Sequence, residues 1–424
     1  MKLAEIIEKY IPGDWGNEVP GNENPYQVSC IRGADIVPIE NVDYSEIPYR
    51  YISERSYNTR LLSVGDIIIE KSGGSPTQST GRVSIVTEDL LKERQNIVCS
   101  NFCEAFRVKS SWNPWYVYYY FRFIYDQGVF FNFEGKTSGL KNLQMDNAFS
   151  SIEIEEFDRS IQDKVANAIL DLDTKIAINH QINRKLEAMA KQIYDYWFVQ
   201  FDFPDANGRP YKSSGGKMVW NDTLKREIPE GWEDEQIMSS FHVVNGATPS
   251  TKEASNYGEE IIWITPKDLS DQQSKFTYKG ARSITRKGYD SCSTSLIPSG
   301  SILMSSRAPI GLVSIAANEL CTNQGFKSVY SDNPDYNLYL YYYILDHMKQ
   351  IEQLGSGTTF KEVSRESISA FPIIAAYKKD CYAAWVEQIK PIFEKQAALV
   401  SESNTLTETR DFLLPLLMNG QIKL

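Results

Sequence analysis

At 424 residues, with 42% apolar and 23% charged residues, the chain is long enough for two or more globular domains with cores of their own. Its formal charge of −11 excludes a uniformly basic, free-standing nucleic-acid binder; alone it should bind DNA weakly, through clustered basic groups or with a basic partner supplying most phosphate contacts. No stretch reaches the roughly 18 apolar residues of a membrane span. Charges and prolines break every early apolar run, so no membrane segment or signal peptide is expected and the chain reads as cytoplasmic.

Residues 12–157 predict short strands broken by Gly, Pro and Asn turns, among them Val28–Ile31, Asp66–Glu70 and Val83–Thr87. Aromatic-rich Trp115–Tyr125 follows Pro114 and predicts a buried helix. From 158 to 203 the period changes. Val165, Ile169, Leu172, Ile176, Leu186, Ile193 and Trp197 fall on steps of three and four, with Asn179 and Asn183 on the same seam. Polar seam residues cost stability but fix register and partner number. Residues 204–230, rich in Asp, Gly, Pro, Ser and Lys, predict a linker, and 231–376 a second strand-rich domain.

A second long helix with its tail is predicted over 377–424. Its seam reads Trp385, Ile389, Ile392, Gln396, Leu399, Ser403, Leu406, Leu413 and Leu417, and Pro391 should kink or restart it. A seam of roughly 32 residues runs about 48 Å, more than one small domain would cover. The fold class expected is α+β: two strand-rich domains separated by two long helices that form an antiparallel coiled coil, with approximate two-fold symmetry.

The symmetry rests on an internal repeat. Lys141 and Lys361, Lys175 and Lys395, and Leu186 and Leu406 are each 220 residues apart. Gly65-Asp66-Ile67-Ile68 matches Gly300-Ser301-Ile302-Leu303, and Gly81-Arg82-Val83 matches Gly311-Leu312-Val313. Cys99-Ser100-Asn101 is paired with Cys321-Thr322-Asn323, and the stretch from Cys30 to Ile36 with that from Trp263 to Leu269. Apolar positions agree best and polar loops differ most, as one scaffold with two reading surfaces would show. Duplex DNA with two half-sites is the commonest target of such symmetry.

No constellation for chemistry emerges. Gly135-Lys136-Thr137 lacks the earlier glycine of a phosphate-binding loop, and no HExxH or GxSxG is present. The six cysteines show no CxxC, so buried thiols rather than a metal site are expected. Candidate DNA contacts are basic and amide residues in matched loops. In the first half they are Arg32, Arg55, Arg60, Lys71, Ser72, Gln78, Arg82, Asn101, Thr137 and Lys141. In the second they are Lys267, Lys279, Arg282, Arg286, Lys287, Arg307, Asn323, Gln324, Lys327, Thr358, Thr359 and Lys361. Lys275 belongs to the same basic run, which contains no acidic residue between Asp271 and Asp290.

Taken together, several stretches resemble the specificity subunits of type I restriction–modification enzymes over essentially the whole chain. They are Trp263–Leu269, Ser305–Gly311, Cys321–Phe326, Leu186–Ala190, Ile228–Glu233 and Leu413–Gly420. The resemblance implies a non-catalytic subunit with two target recognition domains (1–157 and 231–376), each reading part of a split DNA sequence. The spacer helices (158–203 and 377–424) would act as a ruler and dock two methyltransferase subunits, which motor-nuclease subunits join. S-adenosylmethionine, ATP and magnesium would belong to those partners. Ile11–Gly16 stands where Gly231-Trp232-Glu233 opens the second domain, so the first domain is expected to be a different recognition subtype. The rival readings are a self-sufficient modification enzyme and a duplicated protein-interaction scaffold without DNA binding.

Overall fold

The computed structural model describes the whole chain except residues 76–77, 138–139, 273, 357–360 and 423–424 and the side chains of 136, 137 and 140. Two compact units emerge: Met1–Gln181 with Glu402–Leu424, and Ile182–Ser401. Each long helix is therefore shared between them.

The first unit holds β1 (Ile7–Pro12), β2 (Tyr26–Ile31), β3 (Tyr49–Ile52), β4 (Ile67–Glu70), β5 (Ser72–Gly73), β6 (Val83–Ile85), β7 (Ile97–Cys99), β8 (Cys103–Val108), β9 (Glu134–Thr137) and β10 (Leu140–Leu143). They form sheets of order β1-β8-β4-β6, β3-β2-β7 and β5-β10-β9. The second unit holds β11 (Met218–Asn221), β12 (Arg226–Pro229), β13 (Asp234–Gln236), β14 (His242–Asn245), β15 (Tyr257–Ile264), β16 (Phe276–Thr277) and β17 (Arg282–Ile284). It continues with β18 (Ile302–Ser306), β19 (Ile310–Ala316), β20 (Cys321–Thr322), β21 (Phe326–Tyr330) and β22 (Pro372–Ile374). Its main sheets run β14-β21-β18-β19-β16 and β17-β15-β20. Apart from the added β16, both orders repeat those of the first unit. The sense of pairing repeats as well: β2 is parallel to β7 and β15 to β20, whereas β3 and β17 are antiparallel to their neighbours.

Physical constraints explain which residues recur. Gly65 and Gly300 precede β4 and β18 with φ of +87° and +85°; Gly81 and Gly311 both have φ of +99°. Only glycine takes that conformation without strain, so the turns that re-aim the chain into the sheet keep it. A helix follows each main sheet, Pro114–Asp126 and Pro334–Asp346. Asn113 and Asn333 cap them by accepting from the amides of Trp115 and Asp335, and proline occupies the first turn, where no donor is needed. Their aromatic faces fill the two largest cores.

The first long helix spans Arg159–Tyr194, extended by a π-helical turn at Asp195–Val199; the second spans Cys381–Met418. Within the first unit Val165 and Ile169 share a core with Leu414 and Leu417, Asp173 pairs with Arg410, and Asn179 with Glu402. Within the second, Asn183 and Glu187 meet Gln396, and Tyr194 and Phe198 share a core with Ile389 and Trp385. In both, rising numbers on one helix meet falling numbers on the other, so the helices run antiparallel. Ile169, Ile176, Asn179, Ile389 and Leu399 are buried; Leu172, Asn183, Leu186, Ile392, Leu406 and Leu413 are half-buried.

The structure corrects several expectations. The second helix is unbroken through Pro391, so proline neither ends nor restarts it. Residues 204–230 are no free linker: β11 and β12 form a hairpin, and Ile228 joins the core of the second unit. Ile11–Gly16 is not the counterpart of Gly231-Trp232-Glu233. Gly13 follows β1 as Gly246 follows β14, and a Cβ at either would lie 2.0 or 2.1 Å from a carbonyl oxygen, of Ser100 or Asn323. The cysteine match is one residue out of register, since Ile31 pairs with Cys99 but Ile264 with Thr322. The turn Ser100–Cys103 therefore matches Asn323–Phe326.

Candidate nucleic-acid interface

The ends of β4 and β18 place three consecutive polar residues at matched positions. In the first unit they are Glu70, Lys71 and Ser72. Arg82 grips the buried Glu70 carboxylate through two bonds of 2.6 and 2.9 Å, and that bond outweighs burial to hold the Arg82 pKa above its usual value. Lys71 Nζ lies 3.0 Å from Glu104 on β8. The Ser72 hydroxyl bonds Asn142 on β10. Next to it, Lys141 Nζ reaches Glu134 at 2.9 Å and the Gln78 carbonyl at 3.3 Å, above the Phe131 ring.

The second unit has Ser305, Ser306 and Arg307. Ser305 Oγ accepts from the Leu312 amide and donates to the Pro309 carbonyl, where the first unit has the Glu70–Arg82 pair. Lys327 on β21 replaces Glu104 and donates to Ser306 Oγ and to Glu362 Oε1, at 3.3 and 3.0 Å. Arg307 Nη1 stands 3.8 Å from the other Glu362 oxygen, with its side chain 36% exposed. One backbone frame thus carries two sets of polar partners, and the charge at the β8/β21 position is reversed.

The remaining candidates fall on other elements. Arg32 is held by Asp35 and the Glu46 carbonyl, and Arg60 by the Gly13 carbonyl. Arg55, Gln78 and Asn101 are exposed. Lys267, Lys279 and Lys361 are exposed too. Arg282 stacks on Tyr257, Arg286 pairs with Asp290, and Lys287 bonds the Ser255 hydroxyl. Asn323 Oδ1 accepts from the Gly325 amide, and Gln324 bonds Thr248. Thr358 and Thr359 lie outside the described residues, as does the Thr137 side chain.

Three candidates and one neighbour are corrected. Lys327 is 5% exposed and serves as an internal brace, and Arg82 and Lys141, with 20% and 16% of their side chains open, are each engaged by a buried or nearly buried carboxylate. Lys275 is likewise internal. Its ammonium bonds Glu187, Gln396 and Tyr342 at 2.6 to 3.0 Å, lies over Phe393, and is pulled down to about 8 by burial, with Glu187 opposing. It ties the start of β16 to both long helices. In the first unit Arg122, Asp173 and Arg410 make the corresponding tie. Glu104, Asn142 and Glu362 were missed in the sequence because an acid or amide beside a basic residue there looks like ordinary surface.

One further missed residue, Phe102, is 56% exposed beside Lys71 and Ser72. Burial pushes the thiols of Cys30 and Cys103 up to about 12. Among the described residues no cluster of His, Cys, Asp or Glu is placed to hold a metal ion, and no helix is long and apolar enough to cross a membrane.

Comparison with known proteins matches residues 229–375 to the family described as type I restriction modification DNA specificity domain. The specificity subunit of the type I restriction enzyme MjaIX of Methanocaldococcus jannaschii is 36% identical over 37% of this chain, an alignment spanning only 38% of that relative. The specificity subunit of the HindI enzyme of Haemophilus influenzae is 27% identical over 65% of this chain and 70% of its own length. Among solved structures, the S subunit of a type I restriction–modification system from M. genitalium superposes with a TM-score of 0.56 at 12% identity. It covers 98% of this chain and 95% of its own, a likeness of fold.

Proposed function

We propose, from the family model matched over residues 229–375 and from the related specificity subunits, that the chain is a type I restriction–modification specificity subunit whose two units each read one half of a bipartite DNA target. The observation that carries this reading is the pair of matched strand ends. Turn glycines, sheet order and capped aromatic helix recur, while Glu70-Lys71-Ser72 becomes Ser305-Ser306-Arg307 with new partners. A frame duplicated for its own sake would have no reason to exchange its polar edge.

In this reading Lys71, Arg307, Lys361 and the exposed Arg282, Arg286 and Lys287 face phosphates or base edges. Basic side chains hold the backbone and amides or Arg read bases. Arg307 suits the reading role best, because a 3.8 Å contact leaves its fork of donors only loosely engaged. The two helices, continuous between the units, would set the gap between half-sites and dock two methyltransferase subunits, with motor-nuclease subunits joining in the cytoplasm. The chain itself would be non-catalytic. S-adenosylmethionine, ATP and magnesium would serve the partners. Partner surfaces would also offset the charge of −11.

Salt-dependent binding tests this directly. The complex assembled with modification subunits should lose affinity for its site with a steep negative slope in log salt, and Lys361→Ala, which removes a proposed phosphate contact, should reduce that slope by about one. A salt-independent complex would favour the scaffold reading, and methylation by the purified chain alone would favour the enzyme reading.

A further inference from the structure

Phe102 carries an inference that the charged candidates do not. A lone exposed apolar side chain is ordinary, but this one is held in a particular way. It lies in the turn closed by the Cys103 amide on the Ser100 carbonyl, at 2.9 Å. Its own carbonyl accepts from the amides of both Lys71 and Ser72, at 2.8 and 3.0 Å. The backbone under the phenyl ring is thus fixed to the strand end that the proposed function assigns to DNA, while 56% of the residue stays open.

The second unit builds the same turn with no side chain there. The Gly325 carbonyl accepts from the Ser306 amide at 2.7 Å, as that of Phe102 does from Lys71. A Cβ on Gly325 would meet Pro266 Cγ at 2.8 Å and Asn323 Oδ1 at 3.0 Å. The first unit has Gly33 at the position of Pro266 and Ser100 at that of Asn323, so both obstructions are gone. An aromatic side chain on a fixed backbone therefore stands on one reading edge, and the matched turn of the other leaves little room for a Cβ.

We propose that Phe102 is a specificity-determining residue of the first half-site, making apolar contact with the 5-methyl group of a thymine. This rests on the DNA-reading function proposed above. The thymine methyl is the apolar group that a base edge offers in the major groove, and a phenyl ring on a fixed backbone has only two side-chain torsions to order on meeting it. The second unit, with Gly325 at the matched turn, has no ring at this position.

The test uses the full chain assembled with the modification subunits of its host, and duplexes carrying the bipartite site found by mapping modified bases. Phe102→Gly copies the second unit's turn and should leave the thermal midpoint, the salt slope and discrimination in the second half-site unchanged. It should lower affinity about tenfold. Replacing one thymine of the first half-site by deoxyuridine should cost the wild-type complex the same factor and cost Phe102→Gly nothing more, while Phe102→Leu should retain most of the preference. Additive losses at every thymine, or unchanged affinity of Phe102→Gly, would overturn the inference while leaving the bipartite reading intact. A wild-type complex with no bipartite preference would instead overturn the reading on which it rests.

Discussion

The two units solve one packing problem alike and one surface problem differently. Where the backbone has no freedom, their residues agree. Left-handed glycines precede matched strands, glycine stands at the close approach after β1 and β14, and asparagine-proline opens each aromatic helix. Where side chains meet only each other or solvent, they part. The first unit braces its strand end with the pairs Glu70–Arg82 and Lys71–Glu104; the second does so with serine hydroxyls, Lys327 and Glu362. A duplicated fold is thus conservative in its turns and free at its strand ends, and the freedom lies where recognition is proposed.

Mutations should expose this difference, most sharply at the buried pairs. Asp66 is fully buried and takes two bonds from Arg107, at 2.7 and 2.8 Å, where the second unit has Ser301 bonded to the Pro298 carbonyl. Asp66→Ala should cost about 3 kcal/mol, because the buried carboxylate accepts both bonds from Arg107 and one from the Ser63 amide. Ser301→Ala should cost about 1 kcal/mol. Chemical denaturation of the two variants checks the ratio; equal losses would contradict the different bracing. The shared constraint predicts the opposite pattern. Gly13→Ala and Gly246→Ala should each cost about 2 kcal/mol or more, and nearly the same amount, because each new Cβ meets a carbonyl oxygen.

The helix ties differ in kind. Lys275 has its pKa depressed to about 8 by burial, so between about pH 8 and its unfolded value the unfolded chain binds more protons than the folded one. Stability from this group therefore rises with pH through that window, by at most about 1.4 kcal/mol per unit. Comparing wild type with Lys275→Met from pH 7 to 10 isolates the term: wild type should gain on the variant as pH rises. The first unit makes its tie with Arg122 and Arg410, whose pKa values are raised, and should show no such slope. The smallest effect is expected in the seam. Asn179 is buried with its Oδ1 unpartnered, so Asn179→Leu should stabilise by about 1 kcal/mol while loosening register. Gln396→Leu should instead destabilise, because Lys275 loses an acceptor. Denaturation midpoints of opposite sign would confirm that the two polar seam positions do different work.

Much of the frame was legible in the sequence, because its signals are local. Three-four spacing marked both long helices, the aromatic run after Pro114 marked the first of the two buried ones, and turn glycines marked the strands. What escaped depends on pairing across the chain. The cysteine match slipped by one residue because Cys321 and Cys99 are identical letters at different ladder positions. Lys275, Lys327 and Arg82 looked like surface cations because nothing in the adjoining residues reveals that a carboxylate distant in sequence will cover them. Pro391 was expected to interrupt a helix that the packing of Ile389 and Phe393 holds continuous. Phe102 drew no notice because one aromatic in a turn has no periodicity.

The measurement that bears most directly on the central claim is a genome-wide map of modified bases in cells carrying either the wild-type chain or Arg307→Ala. One unit per half-site predicts a bipartite motif with a fixed gap, and a variant motif that degenerates within a single half. A continuous motif, or loss of definition in both halves from this one change, would contradict it.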